Sequence, residues 1–292
     1  PQDTQTVTGF IDVQQDYLYY GVMAFDRYFS GSVLDYGPFP AQNRRYWSKE
    51  DDNLTTYLRK AKGTIGPATG WAAALDWALS QTISLLCDRT WLTEDGAALK
   101  MSRLLIDGKW GKSSAAVKRA CRRTKYAQPM PSQGFGFSAT TKPLTEDKPK
   151  AGEKIGHNWK LSRPKGWPVK VVTIDTNRWK TDVHQGWKTP LGDRGCLSLF
   201  DASPREHKMF ADMQHAEFRS EVEGKWGKVD IWKQFPNRPD NEGLDILVGC
   251  CAAASLEGIG DDDGRTRRRS KVKLSDVYAR KQQAINEAAR RR

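Results

Sequence analysis

An α/β fold, a mixed central sheet flanked by helices, is predicted by three features of this 292-residue sequence. Residues 7–36 are rich in aromatic and β-branched side chains separated by short polar turns, which suits an antiparallel meander. Longer segments with helical spacing follow. Beyond them, short apolar runs alternate with amphipathic stretches, the order expected of strands joined through helices.

The elements read as follows. Residues 7–13, 17–25 and 32–36 form strands, with a turn at Gln14-Gln15-Asp16. Helices are predicted over 50–62 and 71–87, the second with Trp71, Leu75, Ala78 and Leu79 on one face. A strand over 99–106 leads into a helix over 113–123, and the Pro/Gly/Ser/Lys-rich residues 128–156 read as a loop. Strands are predicted at 168–175, 195–200 and 229–233, and a helix at 204–222 carrying Met209, Phe210, Met213 and Phe218. An apolar helix over 244–256 closes the globular part, and no internal repeat is present.

Composition narrows the class. A hydrophobic content of 38% with eleven Trp supports a packed core, and no apolar run is long enough to cross a membrane. The N-terminus lacks a basic-then-apolar signal sequence, so a soluble cytoplasmic protein is expected. A chain starting at Pro1 is expected to be a fragment or a processed product. Five scattered cysteines without a Cys-x-x-Cys, and four scattered histidines, disfavour disulfide scaffolds and zinc sites; any metal would be a hard one held by carboxylates. Of the net charge of +12, most lies in residues 265–292, where eleven Lys/Arg face two acids. Residues 1–264 are nearly balanced at about +3, and a domain, 1–260, followed by a basic tail, 261–292, points to a polyanionic partner.

Gly111-Lys112-Ser113 has the second half of a phosphate-binding loop, but Ile106 stands where the first glycine must curl the backbone. Leu104-Leu105-Ile106 therefore reads as a strand ending on Asp107, either a site residue at the sheet's rim or a turn former before Gly108. Asp12 interrupts the most apolar part of the first strand. It is either buried and in need of a positive partner or metal, or simply on the solvent face. Asp245 sits on the apolar closing helix beside Val248, Gly249 and Ala252, with Glu242 three residues earlier and Asp240 or Asn241 as candidate N-caps. Asp12, Asp107 and Asp245 together form the oxygen-ligand set that Mg²⁺ or Mn²⁺ requires, with two ions suited to phosphodiester hydrolysis. Asp16, Asp175, Glu217 and Glu221 are weaker candidates, the last two expected on a helix.

The stretch Thr8-Gly-Phe-Ile-Asp-Val-Gln-Gln-Asp-Tyr-Leu-Tyr-Tyr20 resembles the opening of the nuclease domain in the large terminase subunit of lambda-type tailed phages. Asn241-Glu-Gly-Leu-Asp-Ile-Leu-Val-Gly-Cys-Cys-Ala-Ala253 is similar to that family's closing motif, and Leu105-Ile-Asp-Gly108 to its second acidic strand. The resemblance implies an RNase H-like fold and an endonuclease cutting concatemeric viral DNA during packaging in the host cytoplasm. In that reading Asp12 and Asp245 bind one ion and Asp12 and Asp107 the other, with Glu242 as a further ligand. Lys109, Lys112, Arg267, Arg268 and Arg269 are expected to contact double-stranded DNA, and the terminase small subunit and capsid portal are the expected protein partners. The packaging ATPase expected to precede such a domain has no complete Walker A sequence here. The alternatives are another RNase H-like nuclease of resolvase or transposase type, and a non-catalytic DNA-binding packaging module.

Overall fold

In a computed structural model of the chain, residues 3–42, 47, 53–62, 70–238 and 240–260 are described. It opens with three antiparallel strands, β1 (Thr6–Val13), β2 (Leu18–Phe25) and β3 (Gly31–Phe39). Helices α1 (Leu54–Lys62) and α2 (Trp71–Asp88) follow, then a small ribbon of β4 (Trp91–Leu92) and β5 (Ala98–Leu99). The chain re-enters the main sheet as β6 (Met101–Asp107) and crosses through α3 (Gly111–Arg123) to β7 (Pro129–Phe135). Strands β8 (Lys154–Gly156), β9 (Trp159–Ser162) and β10 (Val171–Asp175) come next, then α4 (Thr176–Lys188), β11 (Leu197–Leu199) and α5 (Lys208–Gln214). A separate hairpin of β12 (Glu217–Gly224) and β13 (Gly227–Gln234) precedes α6 (Glu242–Leu256).

The main sheet has nine strands in the order β11-β3-β2-β1-β6-β7-β10-β9-β8. The β1–β3 meander is antiparallel, while β6, β7 and β10 run parallel to β1. This is the helix-flanked mixed sheet that the sequence predicts. Every residue of β1 is buried because helices cover both faces of the sheet at this strand. Its side chains alternate: Val7, Ile11 and Val13 join the core under α1, α2 and α3, while Phe10 joins the core under α4 and α6. Asp12 shares the parity of Phe10 and so belongs to the α6 face.

Glycines let α6 settle directly on the sheet. A Cβ at Gly249 would lie 1.9 Å from the Phe10 ring, and one at Gly21 would lie 2.1 Å from Ile246. The Thr8 hydroxyl donates to the Cys250 carbonyl at 2.9 Å, tying β1 to the middle of the helix. Being apolar nearly all round, α6 is buried over most of its length, as its composition predicts.

Four sequence expectations change. Residues 129–135 form an interior strand rather than part of a loop; β10 pairs with β7 only from Ser132 onward, so Pro129 and Pro131 precede that ladder, where missing N–H groups cost little. The helix expected over 204–222 stops at Gln214, and Phe218 lies in β12. Glu217 and Glu221 are therefore on a strand. Asn241 occupies the N-cap position of α6, yet its side chain makes no capping bond. Residues 261–292, with Arg267, Arg268 and Arg269, lie outside the described residues. Among those described, the cysteines are free and no helix is long and apolar enough to cross a membrane.

Candidate active site

The β1–β6 ladder ends at Ile11–Ile106, and Asp12 and Asp107 are the next residue on each strand. Paired strands lie about 4.8 Å apart, so the two carboxylates are neighbours at the carboxyl end of the parallel strands. Asp107 shares the parity of Leu105, which packs in the α6-side core with Phe10, so both acids face the same side. There α6 presents Asp245 and Glu242 from its first turn. Four carboxylates expected from sequence are thus brought to one place.

Asp12 is 6% exposed, and among the described residues it is in no ion pair; its Oδ2 accepts a hydrogen bond from Gln14 Nε2 at 2.7 Å. Burial, then the charges of Asp245 and Asp107, push its pKa well above the usual 3.8, against the pull of the Gln14 amide and with Glu242 adding to the rise. The solvent-face alternative for Asp12 is thereby overturned. Burial also raises Asp107, with Asp245 contributing, although the Lys109 N–H donates to its Oδ1 at 3.1 Å. Asp245 is likewise raised by burial, an effect that nearby Lys180 opposes.

Lys180, on α4, is the group that sequence reading missed. It is buried, and its ammonium lies 2.5 Å from Glu217 Oε1 and 3.0 Å from Asp245 Oδ1. Burial alone would lower its pKa; the charges of Asp245 and Glu217 outweigh that and hold it above the usual value. Asn241 Nδ2 completes the bridge, donating to Glu217 Oε1 at 2.6 Å and to Asp245 Oδ2 at 3.2 Å. Both oxygens of Asp245 are thus engaged by the chain itself. The available signal was a lysine beside Trp179 and three residues before Val183, both on the buried stripe of α4.

The remaining candidates sort by geometry. Lys109 lies over the exposed Phe135 ring, 4.5 Å from its centroid, and Lys112 lies 5.6 Å from that of Trp110, both on the rim next to Asp107. Asp175 caps α4, accepting from the Arg178 N–H at 3.4 Å, and burial pushes its pKa up to about 6. Glu221 pairs with Lys228 at 3.0 Å on the hairpin, and the Asp16 carbonyl accepts the Leu54 N–H.

The donors are all carboxylate oxygens, the chemistry of a site for a hard divalent cation. Among the described residues, however, no three acidic, histidine or cysteine side chains converge closely enough to hold an ion in this arrangement. The donor types fit such a cation, while the cage is not closed around one point.

Fold and site together define an α/β domain with a partly buried acidic centre at the end of its first and fourth main-sheet strands. A family model described as terminase large subunit gpA, endonuclease domain, matches residues 1–266, and the chain belongs to that family. No curated protein matches it. Among solved structures, a lysine-to-alanine mutant of the nuclease domain of the large terminase subunit gp2 of bacterial virus Sf6, with manganese, is similar at 14% identity. That similarity covers 85% of this chain and 89% of the other, with a TM-score of 0.37.

Proposed function

We propose that this domain is a divalent-metal-dependent endodeoxyribonuclease that cuts concatemeric viral DNA during genome packaging. The observation that carries this reading is the meeting of Asp12, Asp107 and Asp245 from three distant chain segments, with Asp12 buried and in no ion pair among the described residues. Burying an unpaired carboxylate costs several kcal/mol, so Asp12 either holds its proton or is offset by a cation, and a divalent metal beside it would supply that cation. Asp12, Asp107 and Asp245, with Glu242 beside them, are the residues that would hold Mg²⁺ or Mn²⁺, as two ions. Bound there, such ions supply a water nucleophile and stabilise the leaving oxygen.

The chain's own groups have separable tasks. Lys180 and Asn241 fix Asp245 and Glu217, Gln14 orients Asp12, and the Lys109 and Lys112 ammonium groups meet the phosphodiester backbone at the rim. Such contacts make binding salt-dependent and largely sequence-independent. The partners of this reading are double-stranded DNA, a terminase small subunit and a capsid portal, with a packaging ATPase domain in the same protein.

The test is plasmid nicking in Mn²⁺ or Mg²⁺ by the parent and by Asp12→Asn, beside calorimetric titration of each with Mn²⁺. The parent is expected to nick and to bind metal, and the variant to do neither. Undiminished nicking by Asp12→Asn would sink the site assignment; DNA binding without nicking by the parent would favour the packaging module that binds but does not cut.

A further inference from the structure

Between Asp107 and Glu146 the sequence carries eight Lys/Arg and not one acid in 38 residues. Most of that charge is on α3 and its C-terminal turn. The helix leaves the sheet's rim just after Asp107 and returns to the opposite edge, where β7 begins. At about 1.5 Å per residue it is about 20 Å long. Arg119 is spent internally, bound by both oxygens of Asp76 at 3.0 and 2.9 Å. Arg122, Arg123 and Lys125 are exposed, and among the described residues neither they nor Lys118 are in an ion pair.

Two features argue against a merely solvated face. The Lys118 ammonium is held 3.2 Å from the centroid of the Trp167 ring, which positions the cation instead of leaving it to sample solvent. The loop that carries Trp167 brings exposed Arg163 and Lys165 alongside and contains no acid itself. The acids on the α2 side are Asp76, already paired with Arg119, and Asp88, whose carbonyl accepts from Lys100 and whose charge reaches Lys125. Net positive charge therefore persists along the whole outer face.

We propose that the outer face of α3, with the Arg163–Trp167 loop, is a second polyanion-binding surface that grips the backbone of duplex DNA outside the cleavage position. The partner is assigned by charge complementarity and by continuity: the surface begins at the rim beside Asp107 and extends away from it, so one duplex entering the acidic centre can meet both. Duplex DNA carries one charge per about 1.7 Å of axis, which puts about a dozen phosphate charges within the length of this helix. The inference rests on DNA being the substrate of the acidic centre.

The test uses the full chain carrying Lys118→Gln, Arg122→Gln, Arg123→Gln and Lys125→Gln together. A control of equal charge carries Lys148→Gln, Lys150→Gln, Lys154→Gln and Lys188→Gln. Binding to a long duplex is measured in chelator across a salt series, and nicking is measured separately with Mn²⁺. The α3 variant is expected to lose roughly tenfold or more in affinity, and its slope of log K against log salt to fall by about 3 to 4. The control should change little. In nicking, KM should rise while kcat at saturating DNA stays within about twofold, the pattern of lost uniform binding. A charge-keeping set, Lys118→Arg, Arg122→Lys, Arg123→Lys and Lys125→Arg, should restore binding, and melting curves confirm that each protein is folded. Equal loss in the control, unchanged affinity in the α3 variant, or no binding by the parent would each overturn the proposal. Absence of nicking with this binding pattern intact would instead count against the nuclease reading alone.

Discussion

Asp12 and Asp175 are both buried strand-end carboxylates, and burial pushes both above the ordinary range. Their settings separate their roles. Asp175 accepts from the first turn of α4 and has no acidic neighbour among the causes of its shift, whereas Asp12 faces Asp245 and Asp107. Asp12→Asn is expected to lower nicking at least about 10³-fold, equivalent to about 4 kcal/mol, and in chelator to melt at a higher temperature than the parent at neutral pH. Asp175→Asn keeps the cap, since Asn serves about as well as Asp there, and removes the charge. A carboxyl that holds its proton to about pH 6 when folded and to 3.8 when unfolded makes the fold lose stability as pH rises between those values. The loss is at most about 3 kcal/mol. Urea titrations should therefore show Asp175→Asn more stable than the parent at pH 7.5 and indistinguishable from it near pH 4; the opposite trend would refute the burial account. Asp12 and Asp245 were legible in sequence because each interrupts an apolar run. Lys180 was not, because a lysine on a helix is ordinarily read as solvated and its partner Glu217 had been expected on a different kind of element.

At the level of elements, the site depends on how α6 meets β1 and α4. Gly249→Ala forces a methyl group into the Phe10 ring and must push the helix off the strand. Overpacking of this kind costs about 1–3 kcal/mol, and displacement of Asp245 should reduce nicking beyond what the stability loss explains, at temperatures where the variant is fully folded. Lys180→Met leaves buried Glu217 and partly buried Asp245 without their cation. The expected cost is about 3–5 kcal/mol, read from denaturant midpoints; a loss below about 1 kcal/mol would show that the bridge is not structural. The β1–β3 meander, β6 and α6 follow from local pattern alone. What pattern missed were elements whose state is set by neighbours: β7, where two prolines lie ahead of a ladder, and β12, whose Phe218 continued the apolar spacing of α5 until the hairpin partner Lys233 paired with it.

For the whole molecule, positive charge is shared between the folded domain, whose acids gather at one centre, and residues 265–292, where eleven Lys/Arg face two acids. The basic residues 265–292 lie beyond the α6 terminus. A chain ending at Gly260 is expected to melt cooperatively and to retain metal-dependent nicking at saturating DNA, while its affinity for duplex and its salt dependence both fall. Comparing binding isotherms of the two lengths across a salt series checks this, and loss of a cooperative melt would show that the tail belongs to the folded domain. Overall architecture was readable because three strands, a helical layer and alternating strands and helices permit few topologies. The mutual placement of the cations on α3 and the loop at Trp167 was not, since it arises only when residues some fifty positions apart fold side by side.

The packing of α6 on β1 also has a temporal consequence. Thr8 bonds to Cys250 and Phe10 fills the space at Gly249, so the contacts that complete the acidic centre have nearly the largest sequence separation the domain allows. Such non-local pairings form late, after loop-closure entropy has been overcome. A nascent chain on the ribosome therefore carries Asp12 and Asp107 without Asp245 until α6 has emerged. A premature stop before Glu242 leaves a polypeptide that carries Asp12 and Asp107 but lacks Asp245, so chain order itself keeps incomplete copies from assembling the centre.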